Sequence, residues 1–192
     1  MRKKLILFSV AALAGAGLTA LARAETQLPL ETVSHVDLTR YVGEWFEIAH
    51  TANWFEKKCT GDTTATYRTL PDGRIEVLNA CRQSDGTMTE SKGTAKVADT
   101  QTNAKLKVTF FWPFYGDYWI IGLDPNYRWA VVGEPDRKYL WILGRDRRMD
   151  DGLFNSIVER IKAQGYDLSA LIKTQHAASR PSEERTRPSL SE

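Results

Sequence analysis

Two cysteines, Cys59 and Cys81, and three histidines, His35, His50 and His176, are the side chains of this 192-residue sequence best suited to nucleophilic or metal chemistry. Covalent or acid–base catalysis needs a nucleophile beside a base, or a matched acid and base. The histidines are poorly spaced for either. His35 precedes the first patterned segment, His176 opens a polar tail, and His50 follows Ala49 on the outward phase of an alternating strand. Neither H-E-x-x-H nor G-x-S-x-G occurs. Two cysteines do not complete a structural zinc site, and no histidine is spaced to help them. No catalytic residue, metal site or cofactor is expected, and the chain reads as a non-enzyme. The cysteines read as a disulfide closing a loop of about 23 residues, worth roughly 3 kcal/mol through the unfolded chain.

A second group of residues suits binding. Trp54 and Phe55 stand in a long loop, and Trp112, Phe114 and Tyr115 crowd a turn. Turns seldom carry so many aromatics without a partner. Glu47 shares an alternating face with Trp45 and Ala49; it is either a hydrogen-bonded structural carboxylate or a contact for a polar head group. Lys57, Lys58 and Arg82 lie near the cysteine pair and read as solvated charge.

The start of the sequence looks like an export signal. Arg2, Lys3 and Lys4 precede an apolar run from Leu5 to Leu18, and Ala22-Arg23-Ala24 suits cleavage. The signal segment has no cysteine to carry a lipid, so a soluble periplasmic product, residues 25–192, is expected. The full chain has 26 basic and 24 acidic residues; without residues 1–24 it has 22 and 24. That balance gives no electrostatic case for nucleic acid.

Short, regularly spaced strand patterns position these residues. Residues 25–35 are extended. Asp37 caps a short helical turn to Tyr41, and Gly43–Thr51 is a strand. Further strands are expected at 62–70, 74–82, 87–97, 105–111, 118–123, 128–133 and 139–144. Pro71-Asp72-Gly73, Asp85-Gly86, Trp112 to Asp117, Asp124-Pro125-Asn126 and Glu134-Pro135-Asp136 supply turns. Gly93 reads as a bulge or close approach. The period then changes: Leu153, Phe154, Ile157, Val158 and Ile161 form one helical stripe, capped by Asp150 or Asp151 and ended by Gly165. Leu168 to Lys173 reads as a last short strand, and 176–192 as a disordered tail. Eight strands on short turns suit an up-and-down antiparallel barrel or a sandwich.

The order of eight strands, helix and short strand resembles the lipocalins. Gly43-Glu44-Trp45 is similar to their Gly-x-Trp motif, Leu123-Asp124-Pro125-Asn126-Tyr127 to a variant second motif, and Arg145 to the third-motif arginine. Phe110 to Gly116, Pro135-Asp136-Arg137, Tyr139 to Arg145 and Gly165-Tyr166-Asp167 resemble the bacterial outer-membrane lipocalins and apolipoprotein D. The likeness covers about 36–175, one domain. It implies an all-β, eight-stranded up-and-down antiparallel barrel with one C-terminal helix packed on it. Many members of that group are lipoproteins; the signal segment lacks the cysteine that anchoring requires.

On that frame Trp45 fills the closed end, with Arg145 over its indole face, and Gly43, Trp45 and Arg145 are structural. The alternation Lys105, Lys107, Thr109 outward turns Leu106, Val108 and Phe110 inward, and the set Trp141, Leu143, Arg145 turns Trp141 inward. Tyr67 and Tyr118 are read as wall or rim residues. Trp54, Phe55, Tyr67, Phe110, Trp112, Tyr115, Tyr118 and Trp141 are the expected ligand-binding set. The resemblance implies a carrier of a fatty acid or lysophospholipid-like lipid in the bacterial envelope. A membrane-docking protein using its aromatic mouth is the alternative; a lipid-modifying enzyme lacks a residue pair to do the chemistry.

Overall fold

The computed structural model describes residues 28–177. The expected signal segment and all but the first two residues of the expected tail lie outside them. A helical turn α1 (Leu38–Tyr41) leads into β1 (Gly43–Thr51), β2 (Cys59–Thr69), β3 (Ile75–Gln83), β4 (Met88–Val97), β5 (Lys105–Phe111), β6 (Phe114–Leu123), β7 (Trp129–Gly133) and β8 (Leu140–Gly144). Helix α2 (Asp151–Ala163) and a short β9 (Leu171–Lys173) follow.

Each strand pairs antiparallel with the next, and β1 closes the ring by pairing with both β8 and β2. Closure leaves no free edge among the eight strands. Strand β9 joins β1 where β1 leaves β2, at Ala49 to Thr51. The turns after β1, β3, β5 and β7 therefore share one end, the mouth; α1 and the turns after β2, β4 and β6 mark the other.

Two hydrophobic cores result from period-two alternation. The inner one gathers Trp45, Tyr67, Ile75, Val77, Ala95, Leu106 and Ile120 within the ring. The outer one places Ile48, Ala49, Ile121, Trp129, Val131 and Ile142 beneath Phe154, Ile157 and Ile161 of α2. Leu153 and Val158 flank that stripe. Burying each of the three isoleucine- and phenylalanine-class side chains of α2 contributes about 1.5–3 kcal/mol. Asp150 caps α2 by accepting from Leu153 N at 3.0 Å, and Asp37 caps α1 by accepting from Thr39 N at 2.9 Å.

Some boundaries differ from the sequence pattern. β2 starts at Cys59 because the disulfide and the Cys59↔Gln83 pairing extend it toward the mouth. The aromatic turn shrinks to Trp112-Pro113, because Phe111 pairs with Phe114 and the chain enters β6 at once. His176 is docked rather than part of a free tail: its Nε2 lies 2.7 Å from Glu47 O, and Ala177 N donates to Asp62 Oδ1 at 2.7 Å.

Candidate functional site

The closed end is filled and fully paired. Arg145 Cζ lies 3.7 Å from the centre of the Trp45 ring. Its guanidinium donates to the carbonyls of Arg40, Tyr41, Val42 and Glu44. Trp45 Nε1 donates to Tyr41 O at 2.8 Å. Gly43, at φ +96°, lets the chain turn here, with Arg145 Nη1 only 3.4 Å from where a side chain would begin. Gly43, Trp45 and Arg145 thus take the structural place read from the motif.

Above this plug the hydroxyls of Tyr41, Tyr118 and Tyr67 run in a chain, 2.8 Å and 2.9 Å apart. Burial pushes the Tyr67 phenol up to about 12 and raises Tyr41 and Tyr118 well above the usual tyrosine range. They stay neutral and form a floor. The register Gly43↔Tyr67 sets Tyr67 at this level, and Leu106↔Tyr118 sets Tyr118. Of the two places read for them, wall or rim, they lie on the inner wall, low enough to form its floor: alternation gives the face of a residue, not its height. The space left among Leu38, Tyr67, Ile75, Leu106 and Tyr118 is about 10 Å³, room for about one water.

Farther up, the barrel opens. Phe110 lies inward over Gly93, whose missing side chain makes room: a Cβ there would stand 2.9 Å from the ring and 2.7 Å from Thr109 O. Gly93 is therefore a close approach, as its place in the pattern implied. Asn79 shares the inward face of Ile75 and Val77, and its buried Oδ1 has no partner. Its cross-strand neighbour Ser91 is already exposed. An orphan acceptor below an open mouth suits a ligand hydroxyl or amine.

At the mouth, the β1–β2 loop folds back over the barrel. Phe55 stacks on Trp141 at 6.0 Å, and its ring also meets Trp54 at 5.6 Å and Tyr139 at 5.3 Å. Trp141 packs against the inner core, as alternation predicted. Trp54, Phe55, Met88, Phe111, Trp112, Phe114 and Tyr115, seven of the nine large exposed hydrophobics among the described residues, lie at this end. Trp112 is 81% exposed, at the tip of the β5–β6 turn. Tyr115 falls on the outward phase with Asp117, its ring beneath Lys96 Nζ at 4.7 Å. The predicted set is thus divided: Tyr67 and Tyr118 in the floor, Phe110 in the wall, Phe55 and Trp141 over the opening, Trp54 and Trp112 on the rim, Tyr115 outside. The disulfide joins Cys59 and Cys81 at the same end, Cα atoms 5.6 Å apart, and ties the loop's return to β3.

One polar cluster was not expected. The register of β1 slips between Glu47 and Ala49. This bulge reverses the alternation, so Ala49 joins the outer core and His50 turns to the side of Glu47. The outward reading of His50, and the shared face of Glu47 and Ala49, are corrected by that extra residue. His50 Nδ1 contacts Glu56 Oε2 and lies 3.6 Å from Glu47 Oε1. Trp141 Nε1 donates to Glu56 Oε1 at 3.0 Å, and Thr174 Oγ1 donates to Glu47 Oε1 at 2.5 Å. Burial, with Glu56 beside it, pushes Glu47 up to about 8. Burial alone would lower His50, but the Glu56 hydrogen bond and both carboxylate charges prevail and raise it. Burial would likewise raise Glu56, yet its bonds to His50 and Trp141 hold it below the usual range. Glu56, in an aperiodic loop, carries no periodic signal that a sequence reading could use.

A closed eight-stranded ring with an external C-terminal helix, an arginine-capped tryptophan plug and an apolar inner face defines a lipocalin. The chain belongs to that family: the lipocalin-like domain model matches residues 36–176. It is 40% identical over 148 residues to the outer membrane lipoprotein Blc of Escherichia coli K12, covering 77% of this chain and 83% of the relative. It is also 40% identical over 167 residues to temperature-induced lipocalin-1 of Arabidopsis thaliana, covering 83% and 89%. In fold it is similar to insecticyanin of Manduca sexta, with a TM-score of 0.63 at 19% identity, covering 77% and 85% of the two chains. Lipocalins bind small hydrophobic ligands and are in general binding and transport proteins. Among the described residues, no helix is long and apolar enough to cross a membrane.

Proposed function

We propose that the protein carries or stores a single-chain lipid, a fatty acid or a lysophospholipid-like amphiphile, in the bacterial cell envelope. What supports this reading is the contrast between a floor of paired hydroxyls, with space for about one water, and a mouth half that carries the orphan Asn79 Oδ1 and the aromatic rings of Phe110, Phe55 and Trp141. The acyl chain enters through the mouth, where each buried CH₂ contributes about 0.8 kcal/mol. Asn79 and the Glu56–Trp141 pair supply polar contacts at the level of a head group. The β1–β2 loop opens and closes over it. The export signal read from residues 1–24 and the kinship with an outer membrane lipoprotein support a periplasmic location.

A second reading has its own support. Phe111, Trp112 and Phe114 are each more than three-quarters exposed and adjoin one turn. A patch of that kind docks the mouth on a membrane surface, from which lipid could be taken.

Native mass spectrometry of the purified protein after incubation with oleate and with lysophosphatidylcholine tests the carrier reading. One lipid per chain, retained by folded protein and displaced by a second lipid, is expected. Absence of any such complex from delipidated, folded protein overturns it.

A further inference from the structure

The bulge in β1 has a chemical result that the lipid reading does not use. Glu47 and His50 of one strand and Glu56 of the mouth loop each present a donor atom, all within 4.8 Å of one another. Among the described residues no other three His, Cys, Asp or Glu side chains come so close. All three are buried or half-buried: Glu47 retains 4% side-chain exposure, His50 13% and Glu56 14%.

Charge and chemistry point the same way. Two carboxylates face one imidazole, and the imidazole is a positive group that acts on both. The other neighbours, Thr174, Trp141 and Asn53, are neutral donors. Lys57 and Lys58, next in the same loop, are exposed. Two buried acids beside one imidazole balance only with a proton or a cation, and a bound cation would take the place of the proton that Glu47 otherwise holds. Thr174 and Trp141 each bind one oxygen of a carboxylate and fix its orientation, as outer partners of metal ligands do.

We propose that Glu47, His50 and Glu56 form a binding site for a divalent transition-metal ion of the zinc class, joining the first mouth loop to β1. One imidazole nitrogen and two carboxylate oxygens suit zinc, which takes three protein ligands and completes its shell with a water. Three donors are too few for calcium, which takes about six to eight oxygens. Seating the ion replaces the direct His50–Glu56 hydrogen bond and displaces protons from the cluster. The ion would hold Glu56, and with it Phe55, over the barrel.

The test is titration of tag-free, metal-stripped protein with Zn²⁺ against a chromogenic chelator, with proton release followed in weak buffer. The expected result is one ion per chain with a dissociation constant of about 10 μM or tighter, released protons, and no competition from Mg²⁺ or Ca²⁺. His50→Gln and, separately, Glu56→Gln weaken binding at least about tenfold, whereas His35→Gln, on an exposed histidine, leaves it unchanged. Co²⁺ substitution gives a visible spectrum that the His50→Gln protein lacks. Failure of folded wild-type protein to bind one Zn²⁺, or equal binding by folded His50→Gln protein, overturns the proposal. Should one variant not fold, the wild-type stoichiometry and the other variant decide.

Discussion

The two ends of the barrel use aromatic residues in opposite ways. At the closed end Trp45, Tyr41 and Tyr67 are buried and Tyr118 is half-buried, and each side-chain polar atom they carry has a partner. At the mouth Trp54, Phe55, Trp112 and Phe114 are exposed, and the polar residues beneath them include an orphan acceptor and a close group of two acids and one imidazole. Satisfied groups stabilise a fold; unsatisfied ones in an accessible cavity mark where a ligand finds its contacts. On the proposed function, the floor serves stability and the mouth serves recognition.

Substitutions at the two ends should separate these roles. Trp45→Ala is expected to have the largest effect on stability, about 3–5 kcal/mol, because it empties the plug and removes the ring on which Arg145 lies; urea denaturation measures it. Replacing Cys59 and Cys81 together by Ser should cost about 3 kcal/mol by the same assay, with added mobility in the β1–β2 loop. Trp141→Ala should lose less stability but weaken lipid affinity at least about tenfold. It removes the stacking partner of Phe55 and the donor to Glu56.

The pH dependence sharpens the contrast, since it should arise at the mouth. Glu47 binds its proton more tightly in the folded state, where its pKa is about 8, than its ordinary value of 4.5. The stabilising contribution is fully present below 4.5 and is lost as pH rises through 8. His50, also raised, adds loss in the same direction as pH climbs past its ordinary 6.5. In chelator-containing buffer, wild-type protein should lose stability relative to Glu47→Gln between these limits. Parallel stability curves for the two proteins would break this account of the cluster. The smallest stability effect is expected for Trp112→Ala, within about 0.5 kcal/mol; its measurable consequence should be weaker sedimentation with phospholipid vesicles.

The closed end was more legible in the sequence than the mouth. Trp45 and Arg145 announce themselves through motifs at either end of the strand series, and the inward sets of β5 and β8 follow from unbroken alternation. The exposed residues of the Trp112 turn were legible too. Other features depend on information that alternation lacks. A single inserted residue in β1 reversed the phase of His50, and nothing in Glu47-Ile48-Ala49-His50 signals it. Tyr67 and Tyr118 faced inward as a strand pattern allows, yet their depth comes from cross-strand register. Glu56 lies in an aperiodic loop whose path depends on Asn53 Oδ1 accepting from Glu56 N at 2.8 Å, on the disulfide, and on the Phe55–Trp141 stack.

The central claim is that the floor supports and the mouth binds. Paired measurements on Tyr118→Phe and Trp141→Ala test it most directly, each protein being titrated with a fluorescent fatty acid and unfolded in urea. Tyr118→Phe should lose about 1 kcal/mol of stability with unchanged affinity, and Trp141→Ala should lose affinity at least about tenfold. Equal loss of affinity in both, or an unaltered affinity in folded Trp141→Ala protein, would contradict it.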